Sequence, residues 1–175
     1  MIETTGEDRR FPPALADVAK VEFDYDDGDG VDFEPYGAFD SAEETTDWLR
    51  HWTGNHEVDG DAYRVFGQDG TGGHAALWCV RPGRPLAEQP VVFLGSEGER
   101  GVVAGNLSDF LWVLTDGVGP LEVVEFQQYE GRPDPALTEL AARHATTPRR
   151  AAREIVTEAQ AEFPAFSDGI DALCR

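Results

Sequence analysis

Cysteine is nearly missing from this 175-residue chain: Cys79 and Cys174 are its only two, too few for a disulfide framework. A reducing compartment, the cytoplasm, is therefore the expected home. Basic residues are scarce as well, with 14 Lys and Arg against 34 Asp and Glu and a formal net charge of −20. Such a field repels phosphate backbones and anionic membranes, which argues against direct nucleic-acid or membrane binding. No apolar run approaches the roughly 18–20 residues that a membrane span needs. Met1 to Arg10 lacks the basic-then-apolar order of a signal peptide.

Catalytic and metal motifs are missing too. There is no CxxC and no HExxH, and His51, His56, His74 and His144 form no pair with a ligand spacing. The acidic stretch Glu22–Glu34 fails the calcium-loop pattern in both frames. Counted from Asp24, position six is Asp29 and position twelve Pro35; counted from Glu22, they are Asp27 and Phe33. Ser96 sits in Gly-Ser-Glu-Gly rather than a nucleophile elbow, and Cys79 lies inside an apolar run that should bury it. Gly67-Gln-Asp-Gly-Thr-Gly-Gly-His74 has neither the Lys of a phosphate loop nor dinucleotide spacing. The expectation is no catalytic residue, no metal and no cofactor.

Apolar material is plentiful. Hydrophobic residues make up 41% of the chain, with four Trp, ten Phe and four Tyr, enough for one core. Pro12-Pro13 can open a short helix to Lys20. Ser41-Ala-Glu-Glu44 reads as a capping box for a helix to about Trp52, with Thr45, Trp48, Leu49 and Trp52 on one face. Tyr63–Phe66, Ala75–Val80, Pro90–Leu94 and Gly101–Ala104 read as strands with short connections, hence an antiparallel meander. Asn106 or Ser108 should cap a helix with the stripe Leu107, Phe110, Leu111 and Leu114. Leu121–Tyr129 fits strand or helix equally. Helices are expected at Pro135–His144 and at Thr147–Phe163, the latter with Thr147 as cap. The whole indicates a single α+β domain over residues 11–175, its curved, mainly antiparallel sheet flanked by N- and C-terminal helices, behind a flexible stretch of residues 1–10.

Phe66-Gly-Gln-Asp-Gly-Thr-Gly-Gly-His-Ala-Ala-Leu-Trp78 resembles the signature of the SUKH superfamily: a strand, a glycine-rich turn opened by an acid, and a strand ending near Trp. Pro90–Gly98 resembles the family's next strand and loop, and Asn106–Leu114 its Leu-x-x-Phe-Leu helix. The resemblance covers roughly residues 36–120. That superfamily contains bacterial toxin-immunity proteins and yeast cell-wall assembly regulators. The resemblance implies a protein-binding module that is not an enzyme, often one that occludes the basic active site of a nuclease or nucleotide-modifying toxin. The alternatives are a regulator or scaffold that binds a host partner, and a small-molecule binder or hydrolase.

An acidic inhibitor suits a basic partner, because complementary charge speeds encounter. Residues 21–70 hold 15 acids and two bases, while Arg149, Arg150 and Arg153 open the last expected helix. The candidate partner contacts are therefore Asp24, Asp26, Asp27, Asp29, Asp32 and Glu34 of the acidic stretch, with Glu43, Asp47, Asp59 and Asp61. Asp69 and His74 of the glycine turn and the loop acids Glu97 and Glu99 complete the set. The bland reading of each acid is a solvated side chain.

Overall fold

Four short apolar runs separated by glycine turns leave the chain little choice but to fold back on itself. The computed structural model describes residues 9–175. The flexible stretch expected over residues 1–10 lies, apart from Arg9 and Arg10, outside the described residues. The strands β1 (Glu34–Pro35), β2 (Tyr63–Gln68), β3 (His74–Trp78), β4 (Val91–Leu94) and β5 (Arg100–Ala104) form one sheet in chain order, each antiparallel to the next. The α+β class and the meander are as the sequence indicates. β1 is an addition of two residues, pairing Glu34 with Gln68 and Pro35 with Gly67. An edge position tolerates a proline, which brings no N–H to the ladder.

The β2–β3 connection is built by Asp69. Its Oδ1 accepts hydrogen bonds from Thr71 N (2.7 Å), Thr71 Oγ1 (2.6 Å) and Gly73 N (3.1 Å). This side chain replaces backbone partners through the turn. Gly72 holds φ +95°, and a Cβ at Gly73 would lie 2.6 Å from Phe93 Cζ. Both positions thus require glycine, one for its backbone angle and one for space.

Helices cover both faces of the sheet. On one face Phe66, Ala75, Leu77, Phe93 and Val103 pack with α1 (Pro13–Val18), α3 (Leu107–Thr115) and α5 (Pro135–His144). On the other, Val65, Ala76, Val92, Leu94 and Val102 pack with α2 (Ala42–Thr53) and α7 (Phe166–Leu173). For this reason β2, whose sequence alternates, is buried from Tyr63 through Gly67. Even Arg64 is fully buried there, its guanidinium donating to the Asp61 and Tyr63 carbonyls. The helix α6 (Ala152–Glu162) lies beside β5 and gives Ile155 and Val156 to the first layer and Ala159 to the second. It thereby covers an edge that would otherwise offer unpaired backbone groups.

Several local expectations hold. Ser41 and Glu44 form the reciprocal capping box of α2, and Gly54 ends that helix at φ +67°. Asn106 caps α3 by accepting Asp109 N at 2.8 Å. Others need correction. The helix expected from Thr147 begins at Ala152. Thr147 instead ties the preceding segment to α3: its Oγ1 donates to Asp109 Oδ1, and its carbonyl accepts Trp112 Nε1. Leu121–Tyr129 resolves into the end of a short helix, α4 (Pro120–Val124), followed by irregular chain. Cys79 is half-buried rather than enclosed. The helix α7 was not anticipated; Phe163-Pro164 interrupts α6, and Phe166 and Ile170 then form a fresh apolar face.

Candidate functional site

The β2–β3 and β4–β5 turns sit side by side at one end of the sheet, joined by a 2.9 Å hydrogen bond between Ser96 Oγ and Thr71 Oγ1. Gly95 N donates to Glu99 O (2.6 Å) and Glu97 N to Glu99 Oε2 (3.1 Å), which closes the second turn. The acidic stretch arrives from the other side: Asp32 Oδ1 accepts Gly70 N at 2.8 Å. Asp32 N in turn donates to Glu122 Oε2 at 3.4 Å, while Glu122 Oε1 accepts Gly119 N at the start of α4. Glu125 follows that helix. Four separate segments thus bring Asp32, Asp69, Glu97, Glu99, Glu122 and Glu125 to one end of the fold. None of the six forms an ion pair with a described residue.

The electrostatic cost of this arrangement is visible in two carboxyls. Glu122 is 4% exposed, and burial pushes its carboxyl up to about 7 against the opposing pull of the Gly119 and Asp32 N–H groups. The Asp32 charge raises it further. Glu125 is also raised, first by desolvation and then by Glu99, Asp69, Glu97 and Asp32. Asp69 is 2% exposed, and its Oδ2 is buried with no hydrogen-bond partner among the described residues. Beneath the same turn, His74 packs against Trp48 with ring centroids 4.7 Å apart. Burial lowers its affinity for a proton, with the Asp69 charge opposing. The Gly72 backbone opposes burial as well, but burial is the larger effect, and the ring Nδ1 is itself buried without a hydrogen bond of good geometry.

The expected contact residues therefore separate into groups. Asp32, Asp69, Glu97 and Glu99 come together at the turns, with exposed Glu34 close by on β1 and bonded by Gln68. Asp69 is a correction: expected at a surface, it is buried and reaches a partner only through its field. Asp24, Asp26, Asp27 and Asp29 occupy a closed loop in which Val31 N bonds Asp24 O and both Asp26 and Asp27 take left-handed backbone angles. There Asp26 meets Arg132 at 2.5 Å, beside a pocket of about 310 Å³. Glu43 and Asp47 are exposed on α2, and Asp59 and Asp61 on the loop that follows it. Sequence reasoning missed Glu122 and Glu125. The readable signal for Glu122 was Gly119-Pro120 with a Glu at the third helical position, a helix-start pattern.

On the α2 side of the same turns lies a cleft of about 520 Å³ lined by Trp48, His51, Trp52, Thr71, Ser96 and Arg100, among others. Trp52 Nε1 donates to Gly95 O at 2.7 Å, and Arg100 is paired with Asp171. Among the described residues, no group of three or more His, Cys, Asp or Glu side chains is placed to hold a metal ion. No helix formed by them is long and apolar enough to cross a membrane. What the turn end offers chemically is an uncompensated negative field over a firmly bonded backbone. No family model matches the chain, and searches of curated proteins and of solved structures return no match.

Proposed function

We propose that this chain is a protein-binding module of the immunity type, neutralising a toxin by docking its carboxylate-rich turn end over the toxin's basic active site. The observation that carries this reading is the gathering of Asp32, Glu97, Glu99 and Glu125 around buried Asp69 and Glu122, with no ion pair to any described residue. Like charges held close together oppose folding, and a basic partner relieves them. A field of this sign also steers encounter, by roughly 10- to 1,000-fold in rate. The resemblance of Phe66–Trp78 to the SUKH signature supports the same reading from the sequence side.

Co-purification from the native cell, followed by mass spectrometry, should identify a basic protein domain. Its association rate with the parent should fall as salt rises, since attraction is screened over about 10 Å at 0.1 M. A triple variant, Asp32→Asn with Glu97→Gln and Glu99→Gln, should associate more slowly. A partner that binds parent and triple variant at one salt-independent rate would remove the turn end from the interface.

A further inference from the structure

Next to Glu125 stands Phe126, 60% exposed, one of only two large hydrophobic side chains so exposed among the described residues. The backbone that presents it is held rather than loose: Gln127 takes φ +50°, and Gln128 N donates to Glu122 O at 2.9 Å. No described Arg stacks on the Phe126 ring, although Arg153 covers Tyr129 three residues on. An aromatic face left to water is therefore set beside carboxylates left without cations. A second, independent feature points the same way. Asp69 is 98% buried with its Oδ2 unpartnered, and only the absence of a side chain at Gly73 leaves that oxygen room, an added Cβ there lying 2.8 Å from it. A carboxylate buried in low dielectric with no cation beside it is felt strongly by a cation arriving at the nearby surface.

We infer that Phe126 and Glu125 form the anchor that receives an arginine of the basic partner, its guanidinium plane on the Phe126 ring and its N–H groups on Glu125. This rests on the protein-binding reading above and names the contact at its centre. Arginine fits better than lysine for physical reasons. Its flat, weakly hydrated cation stacks on an aromatic face while offering a fork of donors to a carboxylate. Lysine offers one compact, strongly hydrated charge that gives up more water to do the same. A second copy of this chain would bring another −20 and be repelled. Glu97 and Glu99, at the adjoining turn, stand at the rim of the contact and strengthen its field.

The test uses the intact chain and two probes of equal charge, capped hexa-arginine and capped hexa-lysine peptides, titrated at low salt and followed by backbone amide NMR. The expected shifts cluster at residues 69–73, 95–99 and 122–128, and the arginine peptide binds more tightly. Phe126→Ala should weaken the arginine peptide roughly two- to fivefold and the lysine peptide less. Phe126→Leu, which keeps apolar area without the ring, should likewise lose the arginine preference; both variants should melt like the parent because the side chain is exposed. Variants that retain the parental preference overturn the anchor. Shifts that gather on residues 24–29 or on α2 also overturn it, yet leave the protein-binding reading standing. If neither peptide binds at any surface, both readings fall.

Discussion

Glu122→Gln removes a charge from a position that is 4% exposed while keeping the shape of the side chain. In the parent, burial raises this carboxyl from 4.5 to about 7. At 1.36 kcal/mol per pH unit, holding it ionised in the folded chain costs about 3 kcal/mol. Between pH 4.5 and about 7 the folded chain keeps a proton that the unfolded chain has released, so this group's contribution to stability falls as pH rises. Below that window both states are protonated, and above it both are ionised. Glutamine has one acceptor oxygen for the two N–H groups of Gly119 and Asp32, a loss that does not depend on pH. The stability of the parent minus that of the variant should therefore drop by about 3 kcal/mol between pH 4.5 and 8, the other carboxylates cancelling in the difference. Urea unfolding followed by tryptophan fluorescence across that range measures it. A difference that stays level, within roughly 0.5 kcal/mol, would refute the argument that Glu122 is ionised against its surroundings.

Changing Asp24, Asp26, Asp27, Asp29 and Asp32 together to Asn should move stability by no more than about 1 kcal/mol by thermal melting, because the exposed Asp26–Arg132 pair is worth little. Asparagine can still accept the Asp26 and Gly70 N–H groups, and the same variant should associate more slowly with a basic partner. Gly73→Ala should destabilise by roughly 1–3 kcal/mol in urea unfolding, since its Cβ meets Phe93 and Asp69 Oδ2; a neutral result would mean the turn is free to shift. Trp78→Ala should cost roughly 3 kcal/mol, as the indole packs edge-on against Phe163 and Phe166. If that variant melts like its parent, the α7 layer contributes little to the fold.

Local chemistry was enough to read much of this chain. The capping box at Ser41–Glu44 and the Asn106 cap satisfy backbone groups from within three residues, the proline start of α5 removes a donor that would have no helical partner, and each of the four apolar runs pairs with the run next to it in sequence. Their meaning does not depend on what lies across the molecule. The same holds for the glycine turn, where Asp69 and Gly72 close the connection by themselves. Thr147 shows the limit. Its type and its following proline suit a helix start, but Asp109 and Trp112, 38 and 35 residues away, claim its hydroxyl and carbonyl. A long-range partner outbid the local one.

The candidate site lies almost wholly on the far side of that limit. Sequence alone determined that the protein is strongly acidic, that its middle is an antiparallel meander, and that Asp69 opens a glycine turn. Only the tertiary structure decided which acids meet. Asp32 reaches Gly70 and Glu122 across 38 and 90 residues of chain, and Glu125 comes within range of Glu97 and Glu99 because α4 packs against β4 and β5. Burial was decided there as well, since Asp69 and Glu122 are enclosed by neighbours supplied from elsewhere in the chain. Charge is written in composition, but the field at a surface depends on distance and dielectric, and both are set by packing.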